Sequence, residues 1–248
     1  MDQPNRIVTR RHALSIMGAG AVATVAVACG KSSKTDIASR ASTSSPSTSS
    51  TSTAPAAAAA SQSAGATCVL MPELTEGPYY LADEAIRRDI TEGRPGTPLR
   101  LELAVVDATA CTPVSGATVE VWHADAAGDY SGFGNGASSR TFLRGGQKSG
   151  GDGRVTFDTV YPGWYQGRAV HIHVKVHDGS RTHTGQLFFD DAVSRAVYAT
   201  SPYNQRSGQF LRNTHDGIYR GGGAQSVLVT TRGDSGYVGT LGLGVQRA

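Results

Sequence analysis

The sequence has no apolar run long enough to cross a membrane: the run from Ala13 to Ala28 falls short of the ~20 residues a spanning helix needs. It has no concentrated basic stretch beyond the N-terminal region. With a net charge of +3 over 248 residues, nucleic acid is not an expected partner. Helical periodicity is scarce from residue 68 onward, and no internal repeat is visible. Cysteine is limited to three positions, Cys29, Cys68 and Cys111.

What is present begins with a leader. Thr9-Arg10-Arg11 precedes the apolar run, with Leu14 after the arginines, and this resembles a twin-arginine export signal, a type that carries folded proteins and often a cofactor inside them. The run ends in "AVACG", which resembles a lipoprotein processing site at which Cys29 becomes the acylated N-terminus. A plain signal cleaved nearby is the alternative. Residues 1–29 are therefore expected to be a signal segment. Residues 30–67, almost all Ser, Thr and Ala after the first few, have nothing to pack and read as a disordered tether. The expected location is extracytoplasmic: anchored to the outer face of the cell membrane through Cys29, or secreted. With Cys29 spent on lipid, Cys68 and Cys111 remain as an even pair and a disulfide candidate.

From 68 to 248, short apolar runs alternate with Gly, Asp and Asn turns, pointing to one mostly-β domain of β-sandwich type. In "LRLELAVVD", Leu99, Leu101, Leu103 and Val105 share one parity. "ATVEVWHAD" places Val119, Val121 and His123 on one face, Glu120 and Trp122 on the other. Further strands are expected at 154–160, 170–177, 185–189, 226–231 and 236–245. One short helix follows Asp190-Asp191 until Ser201-Pro202 stops it. The stretches 125–150 and 203–225 read as long Gly-rich loops, and loops of that length are more often functional than idle.

The chemistry concentrates in "YPGWYQGRAVHIHVKV". His171 and His173, two apart on a strand, project from one face about 6–7 Å apart at the backbone, a good bite for one metal ion. His177 is too far along to join them, and it and His183 read as surface residues. By itself a His-x-His pair is weak evidence, since two strand histidines can simply be solvated. No glutamate follows as a cupin site wants, and no carboxylate or thiolate lies beside the pair as in zinc hydrolases. The nearby oxygen donors are tyrosines: Tyr165 after the Pro162-Gly163 turn, and Tyr130 in the loop after the Trp122 strand. A phenol of pKa about 10 ionises only beside a strong Lewis acid, and a hard anionic oxygen suits iron(III).

The segments "VEVWHADAAGDYSGF", "TFLRGGQKSGGDGRVTFDTVYPGWYQGRAVHIHVKV" and "GQLFFDD" resemble the intradiol ring-cleavage dioxygenases. The likeness runs from "LTEGPYYL" at 74–81 to "YNQRSGQFLRNTHDGIYR" at 203–220. It implies one Fe(III) per chain, held by Tyr130, Tyr165, His171 and His173, with Tyr130 permanently bound and Tyr165 displaceable and able to act as a base. It further implies that Arg168 stabilises negative charge developing on the ring and that Gln186 lines the substrate pocket. The substrates would be a small catecholic molecule and O2, and the product a cis,cis-muconate-type acid. The long helical segment of catechol dioxygenases is lacking, and the Tyr165-to-His171 spacing is shorter than in protocatechuate enzymes, so their subunit arrangements do not carry over and the oligomeric state is left open. Trp122 and Trp164 read as packing residues, His215-Asp216 as loop chemistry, and Tyr79 or Tyr80 as residues near the site. The rival from another class is a non-catalytic transthyretin-like sandwich for adhesion or carbohydrate binding, suggested by "PVSGATVEVW"; a second is a copper or zinc site on the same residues.

Overall fold

Alternation in Pro98–Asp107 (β1) buries Leu99, Leu101, Leu103 and Val105 on one side of the strand. The computed structural model describes residues 68–82, 84–134 and 137–247; the leader, Cys29 and the Ser/Thr/Ala stretch lie outside the described residues. Seven further strands follow: β2 (Thr118–Trp122), β3 (Arg144–Lys148), β4 (Arg154–Val160), β5 (His171–Asp178), β6 (Arg181–Phe188), β7 (Val229–Arg232) and β8 (Tyr237–Val245). They form two four-stranded sheets, ordered β4-β1-β8-β7 and β3-β2-β5-β6. Only the β1–β8 pair is parallel.

The sheets pack as a sandwich. Leu101, Leu103, Val155, Phe157 and Leu243 of the first share a core with Val119, Val121, Ile172, Val174, Val176 and Leu187 of the second. Each such side chain taken fully out of water contributes about 1.5–3 kcal/mol. The helix α1 (Asp191–Tyr198) is capped as its sequence requires, with the Asp190 carboxylate accepting from the Ala192 amide, and a cis Ser201–Pro202 bond follows its end. Among the described residues, no helix is long and apolar enough to cross a membrane. Cys68 and Cys111 are joined by a disulfide.

Two expectations need correction. Residues 125–150 are not one loop, because Arg144–Lys148, "RGGQK", pairs with β2. Its glycines let other chain segments come close: a Cβ on Gly145 would lie 2.8 Å from Ile90 Cγ2. Likewise 203–225 contains a short helix, α2 (Gly217–Arg220), capped by Asp216, and 3-10 turns at Tyr203–Gln205, Asn213–His215 and, running on to 226, Gly223–Ser226.

Candidate metal centre

The register of the second sheet lays Arg144, Trp122, His173 and Gln186 side by side across β3, β2, β5 and β6. Residues in one such row point to the same side, here the side away from the sandwich core. All four are buried. What buries this polar side is the segment after Pro72, which crosses it: the Leu74 amide donates to Thr184 O (2.9 Å), and the Arg87 amide to Gly146 O (2.9 Å). Gly77 makes the crossing close, since its φ is +68° and a Cβ there would lie 3.2 Å from His173 Cε1.

His171 and His173 are 3% and 1% exposed, which removes the reading of two solvated strand histidines. His171 Nδ1 lies 2.7 Å from Ala169 O. A carbonyl only accepts, so Nδ1 carries the proton and Nε2 presents a lone pair. That lone pair lies 3.1 Å from His173 Nε2, and the Tyr165 hydroxyl donates to it across 3.1 Å. Trp122 stacks on the His173 ring, centroids 4.9 Å apart and planes within 4°.

Tyr130 completes the cluster from the loop after β2, its ring 5.8 Å from that of Tyr165 and 6.1 Å from that of His173. Its buried hydroxyl makes no hydrogen bond of good geometry, its polar neighbour being the Tyr165 hydroxyl. Two anchors hold the loop. Asp125 Oδ1 accepts from the Ala127 and Asp129 amides (2.9 and 3.0 Å), and Arg144 donates to Ser131 Oγ and O (2.8 and 2.6 Å). Arg144 also pairs with buried Glu84 (2.9 Å) and reaches Tyr79 O (3.2 Å), so one guanidinium ties together the two segments whose tyrosines, Tyr79 and Tyr130, stack at 4.3 Å.

Electrostatically the cluster is poised for a cation. Burial, then the nearby Arg168 charge, pushes His171 down to about 3. Burial, then His171, holds His173 well below the ordinary imidazole value. Both imidazoles are thus neutral and able to ligate. Burial raises both phenols, Tyr130 well above its ordinary value, so neither ionises unless a positive ion is beside it. Among the described residues, no group of three or more His, Cys, Asp or Glu could hold a metal, so a site here must use the phenols. The donor set fits one hard ion: metal–imidazole bonds of about 2.0–2.1 Å put adjacent nitrogens about 3 Å apart, as found, and a buried hydroxyl without a well-formed hydrogen bond faces the same group.

Arg168 stands beside the cluster, its Nη1 3.4 Å from His171 Nε2. Its Nε donates to Asp216 Oδ2 (2.9 Å) and its Nη2 to Gln186 Oε1. Gln186 in turn donates to Thr75 O (2.7 Å). Asp216 is 1% exposed and also accepts from the Ala169 amide (2.7 Å). It therefore steadies both Arg168 and the backbone whose carbonyl orients His171, which corrects its reading as mere loop chemistry. His215 is exposed. His177 and His183 are also not simple surface residues: His177 meets the buried Glu120 carboxylate at 3.1 Å and His183 meets Glu73 at 2.8 Å. Tyr80 donates to the same Glu120 (3.1 Å) and lies under Lys175 Nζ, 3.4 Å from its ring centre.

Residues 75–194 match the family model described as Dioxygenase. An intradiol ring-cleavage dioxygenase from Tetranychus urticae superposes with a TM-score of 0.67 at 36% identity, covering 72% of this chain and 95% of that one. The chain therefore belongs to the intradiol ring-cleavage dioxygenase family. Catechol 1,2-dioxygenase 1 of Acinetobacter lwoffii is 39% identical over 100 residues, 38% of this chain and 32% of that protein. Chlorocatechol 1,2-dioxygenase of Rhodococcus opacus is 28% identical over 139 residues, 48% of this chain and 54% of that protein. The chain thus matches about a third to a half of the length of these two relatives.

Proposed function

We propose that this protein is a non-haem iron(III) dioxygenase that opens catecholic rings between the two hydroxylated carbons, using O2 and yielding cis,cis-muconate-type acids. The observation that carries the proposal is the convergence of two neutral, buried imidazoles and two un-ionised phenols on one point. Tyr130, Tyr165, His171 and His173 would hold the ion, one per chain. When bound, ferric iron would chelate a catecholate and draw density from its ring so that a ring carbon reacts with O2.

The remaining work belongs to the chain. Tyr130 is 4% exposed and stacked under Tyr79, so it is the phenolate built to stay. Tyr165 is partly exposed, on the short turn before Arg168, and its phenolate oxygen would be placed to take a catechol proton. The two phenolates would supply two of the three negative charges a ferric ion needs, which matters because unbalanced charge in a buried site is costly. The Arg168 guanidinium, held by Asp216 and Gln186, stabilises negative charge arising on the ring without having to reorganise.

A non-catalytic sandwich has no use for such a buried cluster. The test is incubation of iron-loaded protein with catechol under 18O2. One O2 should be consumed per ring opened, with both labelled atoms in a cis,cis-muconic acid. Absence of O2 uptake across a panel of substituted catechols, or cleavage outside the hydroxylated pair, would overturn the proposal.

We also propose export and acylation at Cys29. Radiolabelled fatty acid should enter the wild-type chain and not Cys29→Ala; equal labelling of both would refute it.

A further inference from the structure

The structure contains a second cleft whose chemistry the metal centre does not use. It has a volume of about 480 Å3, within the range of small-molecule sites, and none of its lining residues is acidic. Trp164, Tyr198 and Phe210 give it aromatic walls, and Arg195, Arg206 and Arg212 supply its charge beside the neutral amides of Asn204 and Gln209. The Tyr198 hydroxyl is already spent on Pro162 O (2.8 Å), and its ring meets Phe210 edge to face at 5.3 Å. What Tyr198 offers an incoming molecule is therefore its ring.

None of the cleft's three arginines is neutralised by a neighbouring carboxylate among the described residues, whereas Arg94, Arg144 and Arg168 each pair with one. Arg206 is fixed in place, stacked 4.3 Å over the Trp164 ring and donating to Trp164 O (2.6 Å) and Ala126 O (3.2 Å). Arg195 and Arg212 are exposed, with no side-chain hydrogen bond to the described residues, and are free to close on a ligand.

From this combination we infer that the cleft binds an aromatic carboxylate, its ring against Trp164, Tyr198 and Phe210 and its carboxylate on the arginines. Guanidinium groups match a carboxylate with paired hydrogen bonds, and aromatic walls add stacking and apolar burial. An inorganic anion gains nothing from the rings. A neutral aromatic gains nothing from the charges. The inference is independent of the proposed ring-cleavage activity, because the cleft lacks the four clustered residues.

The test is calorimetric titration of the iron-loaded protein with cinnamate, which carries a ring and a carboxylate but no adjacent hydroxyls. One site is expected, with affinity at least tenfold weaker in Arg195→Gln/Arg212→Gln and unchanged in Tyr165→Phe. Inorganic phosphate and benzyl alcohol should each bind at least tenfold more weakly than cinnamate. Both arginines are exposed, so the double variant is expected to fold as the wild type does. Four outcomes overturn the inference: no binding of cinnamate; equal affinity in the double variant; loss in Tyr165→Phe alone, which places the ligand at the metal centre; or phosphate matching cinnamate, which reduces the cleft to a charged patch.

Discussion

Arg168 shows how one side chain is made to act at a fixed point. Two neighbours, Asp216 and Gln186, take its donors, and its remaining nitrogen faces His171. Arg168→Lys keeps the charge but cannot reproduce that fork. We expect kcat to fall about 10²-fold or more with iron content unchanged, measured by turnover and metal analysis on the same sample. Asp216→Asn should lower turnover as well and also perturb the iron spectrum, because Ala169, whose amide Asp216 holds, orients His171. His123 makes a different prediction. Buried between Thr159 Oγ1 and Ala124 O, it is pushed down to about 4 from 6.5, chiefly by burial. The folded state thus binds fewer protons than the unfolded one between those values, so stability rises with pH there. Its contribution, about 3 kcal/mol, is complete above pH 6.5 and lost as pH falls toward 4; denaturant titrations across that window should show it, with a shallower slope in His123→Gln. Asp216 was invisible in the sequence as a supporting residue, since nothing in "NTHDGIYR" signals that its carboxylate returns to a strand end 47 residues earlier.

At the scale of elements, the legible parts were those with a repeating pattern. β1 shows period two in its leucines, and the Asp190 cap of α1 stands in plain view. β3 does not: "RGGQK" has no apolar alternation, and it is a strand because β2 offers it a ladder and because glycine admits Ile90. The same limit applies to the segment around Gly77. Its likeness to the family was legible, but its role as the cover over His173 depends on a crossing that sequence spacing does not encode. Gly77→Ala should cost more than about 1 kcal/mol, because alanine is strained at positive φ, and it should also weaken iron retention by pushing on His173. Thermal unfolding and iron content after dialysis against a chelator measure the two effects; normal values for both would remove Gly77 from the account.

On the scale of the whole molecule, the sandwich supplies two surfaces of one sheet with different tasks. One side of β3-β2-β5-β6 joins the apolar core, and the other carries the polar cluster under its cover. The Cys68–Cys111 disulfide ties the start of the described chain to the residues following β1. Bridging residues 43 apart, it should contribute about 2–4 kcal/mol, read as the loss in Cys68→Ser/Cys111→Ser. The central claim concerns the metal cluster, and the most direct test is a visible absorption spectrum with metal analysis of the purified protein, before and after anaerobic addition of catechol. The account predicts about one iron per chain and a broad phenolate-to-iron band that moves to longer wavelength with catechol and is weakened or lost in Tyr130→Phe. A protein that remains colourless after reconstitution with iron, or whose colour is indifferent to Tyr130 and Tyr165, would contradict it.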